Sequence, residues 1–112
     1  MDILTRKEME SINRIELLGT VGHVHTAVVG DKQYARISLA TCTAHRDECG
    51  EAFIEQTWFQ VQLIESLGAK LPAKGDNIHV WGRITFKEYI GENGVSVRTP
   101  DVLARKWEFV ND

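Results

Sequence analysis

The residues of this chain whose types and spacing could do chemistry are aromatic rings set among cations. In residues 78–89, His79, Trp81, Arg83, Thr85, Lys87 and Tyr89 fall on one face of a strand, because side chains alternate with period two. Ile78, Val80, Gly82, Ile84 and Phe86 fall on the other face and can enter a core. Residues 57–64 repeat the pattern: Trp58, Gln60 and Gln62 point away from Phe59, Val61 and Leu63. Large rings beside guanidinium and ammonium groups are an odd use of an outer face. They suit a surface that stacks flat rings and neutralises phosphates, or one that docks another protein.

Other chemistries find little support. The sequence has no Walker loop, HExxH or GxSxG element, and its carboxylates are scattered over loops and turns, so no enzyme is expected. Cys42, His45 and Cys49 have the spacing C-x2-H-x3-C but lack a clear fourth ligand, and structural zinc takes four. No metal and no cofactor are expected. The two cysteines are too few for a disulfide scaffold and would stay reduced in the cytosol.

The elements that must position these residues are β-strands. At 112 residues the chain makes one domain, with an arm at 1–12 and a folded body at 13–112. It buries enough surface to fold without cross-links. Leu4, Met9 and Ile12 give the arm only a weak apolar stripe. Residues 13–22 read as a first strand that could continue through 23–29, and Gly30-Asp31 as a hairpin turn. Residues 33–43 read as a second strand, with Ala35, Ile37 and Leu39 alternating against Tyr34, Arg36 and Ser38. Residues 45–55 read as a polar loop, and 57–64 as a third strand. Residues 66–71 are helix-compatible, with Leu67 and Leu71 four apart and Pro72 and Gly75 as stops. Residues 78–89 are the fourth strand. Gly91-Glu92-Asn93-Gly94 is a turn, and 95–104 the fifth strand, where Pro100 calls for an edge or a bulge. Trp107, Phe109 and Val110 should pack back on the body.

Five strands with one short helix between the third and fourth fit an all-β, five-stranded Greek-key barrel, the OB-fold. Another small β-barrel or a sandwich is the alternative. No apolar run approaches ~18 residues, and the N-terminus lacks a signal-peptide core, so no membrane association and a cytoplasmic location are expected. The net charge of −3 argues mildly against a nucleic-acid partner, although local placement of cations matters more than their sum.

Five segments in order resemble the bacterial single-stranded DNA-binding protein family: NRIELLGTVG at 13–22, ARISLATCTAHRD at 35–47, EQTWFQVQLIESL at 55–67, KGDNIHVWGRI at 74–84 and VRTPDVLARKWEFV at 97–110. The resemblance implies an OB-fold that binds single-stranded DNA, usually as a homotetramer, with a dimer as the other option, near the nucleoid. By position, Trp58 matches a stacking tryptophan and Tyr89 another, kept aromatic. His45 falls where many members have tryptophan, and Ile64 where a stacking phenylalanine is common. Arg46, Arg83 and Lys87 lie beside these positions. Arg36 and Gln60 complete the expected DNA-binding set. The early part of the fourth strand serves subunit contacts in the family, which assigns His79 and Trp81 to an oligomer interface. The family's acidic C-terminal tip is not seen before Asp112, which leaves recruitment of replication or repair proteins in doubt. The other reading is a primosome-type accessory protein that acts through protein–protein contacts on the same fold.

Overall fold

The computed structural model describes residues 11–110. Within them run five long strands: β1 (Ile15–Val29), β2 (Lys32–Arg46), β3 (Ala52–Ser66), β4 (Asn77–Ile90) and β5 (Ser96–Phe109). They close into a barrel in the order β1-β2-β3-β5-β4, with β4 returning to pair antiparallel with β1. β3 and β5 meet in parallel over a short contact, Val61 with Val102 and Gln62 with Leu103. This is the OB-fold arrangement.

The alternation seen in sequence builds the core. Leu17 and Val21 of β1, Ala35, Ile37 and Leu39 of β2, Val61 and Leu63 of β3, Ile78 and Val80 of β4, and Val102 of β5 are buried together. Each large member contributes about 1.5–3 kcal/mol on burial. Slipping any strand by one residue would exchange this face for arginines and glutamines, so the register is strongly specified. β1 keeps its inward face through a bulge, where the pairing shifts between Val21 and Val24 and both residues meet the core. Gly19 and Gly82 admit close strand crossings. A Cβ on Gly82 would stand 2.1 Å from the Leu103 carbonyl oxygen, and one on Gly19 would stand 2.2 Å from that of Ala40.

Three expectations change. The helix at 66–71 is absent: β3 runs through Ser66, and Leu67 and Gly68 form a turn. Gly68 has φ 88°, a left-handed conformation that ends any helix there. The Gln33 side-chain amide also donates to the carbonyls of Ser66 and Ala69 at 2.9 and 2.7 Å, fixing the segment as a loop. The polar loop shrinks to 47–51, because β2 and β3 stay paired out to Arg46 and Ala52. Phe86, placed on the core face by its parity, is 56% exposed. It lies on that face of β4 but beyond the barrel's closed part, where the Arg98 guanidinium covers its ring at 5.2 Å. The expected arm falls almost wholly outside the described residues. Pro100 sits, as its lack of an N–H requires, on the stretch of β5 paired only with β4.

Candidate nucleic-acid interface

Trp58 stands on β3 opposite Ala40 and leaves 53% of its surface open. Its ring lies against β1 at Gly22, where a Cβ would come within 2.6 Å of the indole Cζ3. The absence of a side chain at Gly22 therefore makes the seat for the ring. That seat is stiffened from β2, because the His23 amide donates to the Ser38 hydroxyl at 2.9 Å across the bulge. The sequence reading placed Gly22 only as the last residue of the first strand, before a stretch that could continue it. Gln60 follows Trp58 on the same outer face and is exposed. With Thr99 and Pro100 of β5, the two line a cavity of about 330 Å³ at the barrel mouth.

Arg36 and Lys87 meet at a third residue that the sequence did not single out. Asp101 on β5 is 1% exposed, yet it is a carboxylate. Arg36 Nη2 donates to its Oδ1 at 2.7 Å, and Lys87 Nζ stands 3.4 Å from its Oδ2. The lysine contact is a charge contact only, since Oδ2 has no hydrogen-bond partner of good geometry among the described residues. Both cations stay partly open to solvent, with side chains 39% and 50% exposed. Two positive charges over one buried negative charge leave an outward surplus of +1. The signal was present in the sequence as an acid between Pro100 and Val102, a place where a strand buries side chains.

His45 and Arg46 stand on the β2–β3 hairpin. His45 stacks on Phe53 at 5.4 Å with 25° between the rings, and its Nε2 lies 2.8 Å from Glu55 Oε2. Phe53 is an exposed aromatic that the loop reading hid. The paired register, His45 opposite Phe53, is what brings the rings together. Arg46 braces the hairpin tip by donating to the Gly50 carbonyl at 2.9 Å. Cys42 and Cys49 are both exposed, and among the described residues no group of three His, Cys, Asp or Glu is placed to hold a metal ion.

Tyr89 pairs with Val97 on the β4–β5 hairpin and is 53% exposed. Its neighbour Glu88 points to the opposite face and accepts from the Ser96 hydroxyl, so it does not oppose an anion at Tyr89. Arg83 lies elsewhere, beside Arg14 and Arg105 in a separate cavity. The outward face of β2, β3 and β4, joined through Asp101 of β5, thus brings together Arg36, Trp58, Gln60 and Lys87. His45 and Arg46 sit on one projecting hairpin, and Tyr89 on another.

His79 and Trp81 form their own cluster. Their rings stack at 3.8 Å with 22° between planes. Glu16 Oε2 holds His79 Nε2 at 2.6 Å, and Lys106 Nζ stands 4.8 Å over the Trp81 ring. Leu18, on β1 beside them through its pairing with His79, is exposed. Trp107 is spoken for within the body: its indole donates to Glu65 at 2.7 Å and its ring meets Phe109 edge-on.

Solved structures share this architecture. A Plasmodium falciparum single-stranded DNA-binding protein in complex with single-stranded DNA superposes with TM-score 0.78 at 23% identity, covering 91% of this chain and 97% of that one. The small single-stranded DNA-binding protein of Streptomyces coelicolor gives TM-score 0.66 at 21% identity, covering 87% of this chain and 93% of that one. In sequence, the mitochondrial single-stranded DNA-binding protein of Oryctolagus cuniculus is 27% identical over 91% of this chain and 77% of its own length. The single-stranded DNA-binding protein of Xanthomonas axonopodis pv. citri is 26% identical over 88% of this chain, which spans 58% of that protein. The model of the single-strand binding protein family matches residues 12–110, and the chain belongs to that family.

Proposed function

We propose that this chain binds single-stranded DNA without sequence preference, holding and protecting the strand during replication, repair, recombination or mobile-element transfer. The observation that carries the reading is the half-exposed Trp58 ring, seated on Gly22 and sharing an outer face with the Arg36 and Lys87 charges anchored by Asp101. One ring on one base contributes about 1–3 kcal/mol and accepts any base, because every base has a π-face. The cations hold phosphates. Each phosphate contact steepens the salt dependence by about 0.7 in log–log slope for a single strand. The protein performs no chemistry on the strand and needs no cofactor. Tyr89 on one hairpin, and His45 with Arg46 on the other, extend the contact.

Weak contacts multiply through assembly. The cluster of Glu16, Leu18, His79, Trp81 and Lys106 is the subunit contact in this reading, within a homotetramer or, failing that, a dimer. The protein works in the cytoplasm at the nucleoid, beside replication or repair proteins. Titration with oligo-dT tests the reading through tryptophan fluorescence. Strong quenching that disappears in Trp58→Ala supports it. Unchanged emission at micromolar DNA and low salt overturns it. An oligomer that forms without any quenching supports instead an accessory protein working through protein contacts, the reading that the half-buried His79–Trp81 cluster favours.

A further inference from the structure

We propose that the His45–Glu55 pair on the β2–β3 hairpin couples single-strand binding to pH, so that the hairpin grips the strand more tightly once His45 takes up a proton. This rests on the reading of the chain as a single-strand binder. His45 Nε2 lies 2.8 Å from Glu55 Oε2, and the His45 ring stacks on Phe53 at 5.4 Å. The two side chains of the pair are 41% and 58% exposed, and Phe53 is exposed beside them, so protons and a strand both reach the cluster. The register makes the contact. His45 lies opposite Phe53 and Thr43 opposite Glu55, which sets His45 and Glu55 on one diagonal of the same face. That face runs on through Thr57 to the barrel-mouth cavity that Trp58 and Gln60 also line.

The hairpin is acidic. Residues 45–55 hold one cation, Arg46, against Asp47, Glu48, Glu51 and Glu55. With His45 neutral their net charge is −3, equal to that of the whole chain, so the rest of the chain is balanced. Only β3 pairs with β2 at this level, since the β1 ladder reaches residues 32–40 of β2. The charged groups around His45 are therefore Glu55 on β3 and those of the turn. Arg46 donates to the Gly50 carbonyl at 2.9 Å, and Asp47 Oδ1 accepts from the amides of Cys49 and Glu51 at 2.9 and 2.8 Å. Glu48, Glu51 and the Cys49 thiol are exposed. Among the described residues, His45 is the one cationic or titratable partner of Glu55. A histidine changes charge between about pH 5 and 8. With the imidazole neutral, the pair presents −1 to a chain of phosphates. With the imidazole protonated, the pair is neutral and the His45 and Phe53 rings meet bases without an opposing charge. An anionic strand favours the protonated form, so binding takes up protons by linkage. The gain is complete at low pH and is lost as pH rises.

Anisotropy titration of a labelled oligo-dT at constant ionic strength tests this between about pH 8 and about pH 5.5, above the ordinary carboxylate range. His45→Gln keeps a hydrogen-bond donor for Glu55 without the charge. The ratio of wild-type to His45→Gln affinity is expected to rise about threefold to tenfold on acidification. Glu55→Gln is expected to bind about threefold more tightly than the wild type at about pH 8, where the carboxylate opposes the strand. Calorimetry in two buffers of different ionisation enthalpy should count more protons taken up by the wild type than by His45→Gln. Neither residue belongs to the core cluster, so both variants keep the barrel. A His45→Gln variant with the wild-type pH profile overturns the proposal and leaves the single-strand reading intact. So does a Glu55→Gln variant that binds more weakly than the wild type. A pH-dependent gain that persists in His45→Gln and vanishes in His23→Gln assigns the proton to β1, and also overturns it. Failure of the wild type to bind oligo-dT at any pH defeats the underlying reading instead.

Discussion

Arg36 Nη2 donates to Asp101 Oδ1 at 2.7 Å, joining an outward cation of β2 to a carboxylate of β5 that is 1% exposed. The two partners are unequal. Removing Arg36 leaves a buried negative charge with only Lys87 at 3.4 Å. Breaking a buried pair from the side that strands the buried charge costs about 3–5 kcal/mol, and Lys87 offsets part of this. Replacing Asp101 by Asn leaves two cations that can both turn to water. Arg36→Ala is therefore expected to destabilise the fold more than Asp101→Asn, as read from urea midpoints at neutral pH. Equal losses would mean that Asp101 is not held as a buried anion. In binding, Asp101→Asn should raise the local surplus from +1 to +2 and strengthen oligo-dT affinity, whereas Arg36→Ala should weaken it.

Gly22 and Trp58 make the second prediction. A methyl group at residue 22 would meet the indole at 2.6 Å, too close for any real contact. The obstacle is a partly exposed ring rather than backbone, so the ring gives way and the barrel stays closed. Gly22→Ala should thus leave the thermal midpoint nearly unchanged and weaken oligo-dT binding by up to the value of one stack, about 1–3 kcal/mol. The emission maximum of the free protein should shift as the ring leaves its seat. A variant with unchanged affinity would show that the ring's seat on β1 is irrelevant to binding.

What could be read from sequence, and what could not, follows from how each feature is encoded. Ile37, Leu39, Val61, Leu63, Ile78 and Val80 declared their face by parity, because a closed barrel rewards strict alternation. Phe86 has the right parity and the wrong environment: parity says which face a residue takes, not where along the strand the barrel ends. The helix at 66–71 failed because the Gln33 amide, a partner from another strand, claims the carbonyls of Ser66 and Ala69. Trp58 stood out as a ring on a polar face. Gly22, its seat, is legible only once β1 and β3 are laid across β2. The bulge that makes Arg105 an extra residue is a property of two strands together and leaves no mark on either alone.

The β2–β3 hairpin carries the third prediction. His45 and Phe53 stack at 5.4 Å on strands that project as a ribbon, with Phe53 exposed. Neither ring belongs to the core cluster, so truncating either leaves the barrel intact. Phe53→Ala is expected to reduce oligo-dT affinity by a few-fold to about tenfold, less than Trp58→Ala, because Phe53 already spends one face on His45. Fluorescence anisotropy of a labelled oligonucleotide measures this directly. An affinity equal to wild type would place the hairpin off the strand's path.

Trp81 tests the division of labour along β4. It lies eight residues from Tyr89, about 26 Å along the strand, and its ring is layered between His79 at 3.8 Å and Lys106 at 4.8 Å. In the proposed assembly a second copy lies over this layer and the exposed Leu18 beside it. Trp81→Ala should therefore lower the sedimentation coefficient, with dissociation appearing at higher protein concentration than in the wild type. Quenching of Trp58 by a short oligonucleotide that fits one subunit should persist in the dissociated form. Affinity for a long strand should fall further than for the short one, because contacts of separate subunits no longer add through effective concentration. If Trp81→Ala instead abolishes short-oligonucleotide quenching while the oligomer stays whole, the two ends of β4 serve one surface and the division is wrong.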